Sequence, residues 1–96
     1  MLFRSMNAPR RKNLQAIIEA IEGLKSQLED QMSDLETIRD EETDYYDNMP
    51  EGIQASEREE RAEYSMEALT EACDTLYDLV SQLEDVTNSI QEAIDA

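Results

Sequence analysis

A seven-residue recurrence of apolar side chains runs through most of this chain and constrains its fold more than any other feature. One series is Leu14, Ile21, Leu28 and Leu35, and a second is Ala62, Leu69, Leu76, Leu83 and Ile90. Further apolar residues lie three or four positions from these, so that about three residues in seven are apolar. This spacing is typical of amphipathic helices that pack together. It predicts one helix over residues 9–46 and another over residues 56–95.

The segment between the two series, residues 47–55, has the composition of a turn. Pro50 cannot continue a helix, and Asn48 and Gly52 suit turn backbone. Ser56 and Glu59 have the spacing of a capping box, which would begin the second helix. Because short connections make neighbouring helices antiparallel, we predict an all-α fold: a coiled-coil-like antiparallel two-helix hairpin over residues 9–96, after a flexible segment of residues 1–8.

The two series also predict a register, because facing residues of an antiparallel pair have numbers with a constant sum. Leu14 with Ile90, Ile21 with Leu83, Leu28 with Leu76 and Leu35 with Leu69 all sum to 104. The layers between them are predicted to be Ile17 with Val86, Leu24 with Val80, Gln31 with Cys73 and Ile38 with Met66. Ile18, Met32, Leu79 and Ile94 are predicted to flank these layers and to mediate self-association. The hairpin is therefore expected to form a homodimer, as a four-helix bundle.

Charge is the second strong feature of the sequence. The formal net charge is −16, and the first twelve residues hold four bases and no acid, whereas the other 84 hold 24 acids against four bases. Such a surface repels nucleic acid and anionic membranes and attracts basic protein surfaces. We therefore predict a protein partner with a basic surface, no direct nucleic-acid binding and no membrane binding.

The acidic face has two interpretations, a solvated surface that keeps a small bundle soluble and a mimic of nucleic-acid charge. On the second, carboxylates along helices of ~57 Å, at 1.5 Å per residue, would occupy a channel built for phosphates. The predicted partner-binding acids are Glu22, Glu29, Asp30, Glu36, Asp40, Glu63, Glu67, Glu71, Asp74 and Asp78.

Residues that would carry chemistry are scarce. The chain has no His, and its single cysteine, Cys73, lies on the apolar stripe, where a thiol behaves as a small hydrophobic group. The acidic run 40–47 has Tyr45 where an EF-hand loop needs glycine. We therefore predict no enzymatic activity, no catalytic residues, no cofactor and no dedicated metal site. One cysteine, no export signal and no apolar run of ~20 residues predict a cytoplasmic protein.

The turn is richer in aromatic and apolar residues than a hairpin requires. Tyr45, Tyr46, Met49 and Ile53 lie within nine positions of one another. The simpler interpretation is a local cluster that prevents the helix ends from fraying. The alternative is a tip that binds a partner, since Tyr and Met are enriched at interfaces.

The turn also carries a family resemblance, in the pattern EExxYYDNMPExxQxSER from Glu41 to Arg58, with Arg10-Arg11-Lys12-Asn13-Leu14 before it and Ala62-Glu63 after it. In this pattern the chain resembles a family of small acidic helical-hairpin proteins of Gram-positive bacteria, their phages and other mobile elements. The resemblance implies a helical hairpin and carries over no functional residues. Small acidic proteins of such elements are often inhibitors of host nucleic-acid machinery or of defence systems, which is an argument by analogy.

Two functions follow as hypotheses. The first is a non-enzymatic protein-binding module, an inhibitor or regulator of phage or mobile-element type that docks on a nucleic-acid-binding protein by charge mimicry. The alternative is a structural, bundle-forming assembly factor or subunit that is engaged through its apolar stripe.

Overall fold

The fold is an all-α helical hairpin, as the sequence predicts. The computed structural model describes residues 6–50 and 57–96. Helix α1 spans Ala8–Asp47 and helix α2 spans Glu57–Asp95, bounds that lie within one residue of the predicted helices. The described residues contain no strand. The proposed capping box at Ser56 and the turn residue Ile53 lie outside the described residues, and pairing into a four-helix bundle stays a prediction.

Helix α1 begins with a side-chain cap. The Asn7 Oδ1 atom accepts a hydrogen bond of 2.9 Å from the backbone N–H of Arg10, which satisfies one of the amides that a helix start leaves unpaired. Pro9 lies in the first turn, where its missing N–H costs no hydrogen bond. The cap is needed because the first turn of α1 contains no acid to match the helix dipole.

Helix α1 ends without the left-handed residue that closes many helices, since no described residue has a positive φ. The backbone N–H of Asn48 and its side-chain Nδ2 both donate to the Asp44 carbonyl, at 3.1 and 2.8 Å. The Met49 N–H donates to the Tyr46 carbonyl at 3.2 Å, a tightened last turn. Pro50 then follows, and it cannot continue the helix.

The hairpin divides into two compact units, each built from one segment of each helix. Residues Met1–Glu29 and Asp78–Ala96 form one, here called the terminal unit, and Asp30–Tyr77 forms the other, here called the turn unit. In the terminal unit the Nζ atom of Lys25 lies 2.8 Å from Oε1 of Glu84, which joins α1 to α2.

The inner residues of each helix follow a strict alternation of four and three positions, which we call the seam. All of them are buried or half-buried. On α1 the seam is Leu14, Ile18, Ile21, Lys25, Leu28, Met32, Leu35, Arg39, Glu42 and Tyr46, continued by Met49 in the turn. On α2 it is Ala62, Met66, Leu69, Cys73, Leu76, Val80, Leu83, Thr87, Ile90 and Ile94. The leucine and isoleucine layers that define the 104 register all lie on the seam; the register itself stays a prediction.

The predicted layers between them are wrong on α1 by one residue. Ile17, Leu24 and Ile38 are 47%, 55% and 51% exposed, and Gln31 is exposed too. Their places on the seam are taken by Ile18, Lys25, Met32 and Arg39. On α2, Val86 is 45% exposed and Thr87 takes its place, whereas Met66, Cys73 and Val80 lie on the seam as predicted.

The physical reason is that both spacings, three-then-four and four-then-three, fit a seven-residue repeat equally well. Apolarity favours the row with Leu24 and Ile38, but the structure selects the row that contains Lys25 and Arg39. Their aliphatic stems can lie along the seam while their charges reach carboxylates at its edge. Met49 is 8% exposed and continues the other seam row, that of Leu28, Leu35 and Glu42.

Candidate protein-binding surface

The acidic side of the terminal unit is defined by the surroundings of Lys25. The pKa of Lys25 is raised above its ordinary value of 10.5, first by the hydrogen bond that it donates to Glu84 and then by the charges of Glu84, Glu29 and Glu22, while partial burial acts in the opposite direction. Glu84 of α2 is paired with Lys25, and Glu22 and Glu29 lie three residues before and four residues after Lys25 on α1, so all three carboxylates lie on the same side of the seam. Each follows a seam residue by four positions.

The turn unit has an acidic side of the same construction. An open groove there is lined by Thr43 from α1 and by Met66, Glu67, Thr70, Glu71 and Asp74 from α2. Thr43 and Thr70 again follow seam residues by four positions. Their hydroxyl groups donate to the carbonyls of Arg39 and Met66, each at 2.9 Å, and therefore keep oxygen lone pairs available as acceptors. The groove combines an apolar floor at Met66 with three carboxylates and two hydroxyl oxygens.

The predicted partner-binding acids all occupy rows on this acidic side or on the outer face next to it. Nine of the ten are exposed, and Glu36 is half-buried. Within the turn unit, Glu63, Glu67, Glu71 and Asp74 follow one another at intervals of four, four and three residues on α2. Arg39, the seam cation of this unit, donates from Nε and a guanidinium nitrogen to Oδ1 of Asp40, at 3.2 and 3.1 Å, which offsets one of the carboxylates.

The opposite side of the seam is largely apolar, and sequence reasoning missed it. Its members directly precede the seam residues of one row, the row that contains Ile18 on α1 and Met66 on α2: Ile17, Leu24, Gln31, Ile38 and Tyr45 on α1, and Ser65, Ala72, Leu79, Val86 and Ala93 on α2. Since the acidic flanks of the two helices share one side, these two rows share the other. The signal in the sequence is the apolar series 17, 24 and 38, which apolar periodicity alone assigns to the core.

The residues predicted to mediate self-association divide between seam and surface. Ile18 is only 4% exposed and is packed inside the hairpin, so it does not flank the seam. Met32 and Ile94 are half-buried seam residues. Leu79, at 43% exposed, is the one of the four that lies on the apolar side.

The predicted tip is only partly available to a partner. Met49 is buried, and Tyr46 is half-buried. Tyr45 is 47% exposed and lies at the turn end of the apolar side. Burial of Met49 fits the interpretation of a local cluster that holds the helix end.

The single cysteine and the acidic run 40–47 both lie within helices. Cys73 is buried, as predicted for a core residue. Nowhere in residues 6–50 and 57–96 do three potential metal ligands cluster closely enough to hold an ion, and the run from Asp40 to Asp47 is helical. No helix within these residues has an apolar stretch long enough to cross a membrane. No family model, curated protein or solved structure matches the chain.

Proposed function

We propose that this chain is a non-enzymatic, cytoplasmic protein-binding module whose acidic side docks on the basic surface of a nucleic-acid-binding protein. It acts there as an inhibitor or regulator by charge mimicry, a role proposed by analogy with small acidic proteins of phages and mobile elements, and it works as a homodimer. One observation supports the docking: within each unit, the candidate carboxylates lie on that unit's acidic side or on the outer face next to it, and none lies on its apolar side.

These carboxylates are close enough together for several of them to meet one row of basic side chains, although they are more widely spaced than the phosphates of one DNA strand. In the turn unit the α2 acids are separated by three or four residues, or ~4.5–6 Å of helix axis at 1.5 Å per residue. One DNA strand presents a charge every ~3.4 Å of axis. A row of Lys and Arg side chains that spans several phosphates would therefore meet several carboxylates here.

The groove explains how a basic side chain would be held and not merely attracted. The stem of a Lys or Arg is apolar and can lie on Met66, while its head group reaches Glu67, Glu71 or Asp74. Charge-assisted hydrogen bonds of this type are about twice as strong as neutral ones. The hydroxyl oxygens of Thr43 and Thr70 add two acceptors to the lining of the groove.

The test compares two variants that change the net charge equally. In the first, Glu67→Gln and Glu71→Gln remove carboxylates from the groove. In the second, Asp34→Asn and Glu41→Gln remove exposed carboxylates that lie away from the acidic side of the same unit. Each variant is immobilised, exposed to bacterial lysate at low and moderate salt, and eluted with duplex DNA; mass spectrometry identifies the eluted proteins.

We expect DNA to elute nucleic-acid-binding proteins from the wild type and from the second variant, and few or none from the first. Recovery should also fall at moderate salt, because salt screens exposed charges. Equal losses in both variants would mean that only total charge matters. Recovery that neither salt nor DNA reduces would contradict charge mimicry.

The alternative function, a structural assembly factor or subunit, is favoured by the exposed aliphatic residues of the apolar side. On this hypothesis the bound partner resists salt and is lost when Leu79 is replaced. Of the four residues predicted to mediate self-association, Leu79 gives the clearest test of this hypothesis, because Met32 and Ile94 also support the hairpin itself.

A further inference from the structure

We infer that the apolar side of the terminal unit, centred on Ile17, Leu24, Leu79 and Val86, is the surface on which a second copy of this chain docks. This rests on the homodimer part of the proposed function and is independent of acidic docking. It also relocates the contact, because it excludes Ile18, Met32 and Ile94, which belong to the seam.

The first argument is the exposure of these four side chains. Ile17 is 47% exposed, Leu24 55%, Leu79 43% and Val86 45%. Two of them come from each helix, and Ile17 with Val86 and Leu24 with Leu79 both have numbers that sum to 103, within one of the predicted register, so the members of each pair are predicted to lie at the same level of the unit. They therefore form a patch on one side of one unit instead of scattered single residues.

The second argument is the pattern of apolar positions. A two-stranded coiled coil needs only the two seam positions of each heptad, whereas helices of a bundle have a third apolar position beside them. In the terminal unit, Ile17, Leu24, Leu79 and Val86 occupy that third position on both helices. A second hairpin supplies the two further helices of a four-helix bundle.

The third argument is charge, and it favours a second copy of this chain over a basic partner. In the terminal unit, the apolar side and the next row outward contain no charged residue between Asn13 and Gln27 on α1 or between Leu79 and Ala93 on α2. Arg10 lies at the end of the apolar row of α1. The outer row consists of Asn13, Ala20, Gln27, Gln82 and Ser89. Two chains of net charge −16 repel each other across any acidic surface. This side lets two copies meet while their carboxylates stay in water, whereas a basic partner gains nothing from it.

The patch is also suited to symmetry. A two-fold contact joins the same surface of both copies, and each half of this patch holds two aliphatic residues, one from each helix. Rotation about an axis through its centre therefore sets aliphatic side chains against aliphatic side chains. The acidic sides of both copies then face away from the contact and stay available for docking.

The test is sedimentation equilibrium of the full chain over a range of concentrations. The variant carries Leu24→Gln and Leu79→Gln, and the matched control carries Ser26→Gln and Ser81→Gln. The control places the same residue type at exposed, uncharged positions on the other side of the same unit. Circular dichroism of each protein checks that the helices remain. If helix content falls in a double variant, the single variants Leu24→Gln and Ser26→Gln are compared instead.

We expect the apparent mass of the wild type and of the control to approach twice 11.0 kDa as the concentration rises. The dimer dissociation constant of the Leu24/Leu79 variant should be at least about tenfold higher than theirs. Added NaCl should tighten the dimer, because it screens the repulsion between two acidic chains. Docking on a basic partner should weaken with added NaCl, so the dimer and the acidic docking can be confirmed or contradicted separately.

A wild type that stays at the mass of one chain at every concentration would overturn both the dimer and this surface. A Leu24/Leu79 variant that dimerises as well as the control would overturn the surface alone. Wild-type assembly into trimers or larger species, or a dimer that salt weakens, would likewise contradict the inference.

Discussion

Gly23 lies within α1, where glycine costs about 1 kcal/mol relative to alanine. A Cβ atom added there would meet nothing within 4 Å. We predict that Gly23→Ala raises the free energy of unfolding by about 1 kcal/mol, measured by urea denaturation. Ala16→Gly, at an exposed position seven residues earlier on the same face, is the matched control and should lower it by a similar amount. No gain from Gly23→Ala would mean that the glycine has a role in binding.

Lys25 is a cation on an otherwise apolar stretch of the seam, and its ion pair makes a pH prediction. Because its pKa is raised in the folded state, the pair contributes fully below the unfolded pKa of about 10.5 and is lost as the pH rises through the folded pKa. The free energy of unfolding of the wild type minus that of Lys25→Met should thus be constant from about pH 7 to 9. Above about pH 10.5 this difference should fall, because only the wild type loses the ion pair.

Alkaline urea titrations of both proteins measure this difference, and the other titrating groups cancel between them. Ser26→Met, at the neighbouring exposed position, controls for the added methionine. A difference that is flat through the alkaline range would show that Lys25 does not depend on Glu84 in solution.

At the scale of the element, the choice of seam on α1 predicts unequal costs for two adjacent isoleucines. Ile18→Ala removes a buried side chain and should lower the free energy of unfolding by about 2–4 kcal/mol. Ile17→Ala should cost less than about 1 kcal/mol, because half of that side chain already faces water. Both are measured by chemical denaturation of dilute protein, so that self-association does not contribute. The reverse order would restore the seam predicted from sequence.

The start of α1 gives a second prediction for an element. Asn7→Ala removes the only side-chain cap described there and should cost about 1 kcal/mol. Gln15→Ala, at an exposed position two turns later, should be close to neutral. Urea denaturation compares the two variants, and equal effects would show that the cap is not formed in solution.

At the scale of the whole molecule, the net charge of −16 opposes folding through self-repulsion. We predict that the thermal midpoint of dilute protein rises between about 0.01 and 1 M NaCl, as the Debye length falls from ~30 to ~3 Å. The Glu67→Gln, Glu71→Gln variant should respond less, because it carries two fewer negative charges. A midpoint that falls with salt would indicate that attractive ion pairs outweigh the repulsion.

Much of the fold could be predicted because it depends on local properties. The apolar repeat set both helices, and Pro50 with Asn48 set the end of α1. The candidate acids could be named because exposed carboxylates are easily recognised on a helix. The apolar side could not, because Ile17 and Leu24 look like core residues to any count of apolar positions. Their exposure depends on which of two equivalent rows faces the other helix.

The sequence by itself determined that this chain forms two long helices and that their surface is strongly acidic, because helix propensity and charge act over a few residues. Only the tertiary structure decided which row of α1 becomes the seam. Once Ile18, Lys25, Met32 and Arg39 pack inward, Ile17 and Leu24 must turn outward, since a helix rotates by a fixed angle per residue. That one rotation separates the acidic side from the apolar side, and it is set by contact between helices far apart in the chain.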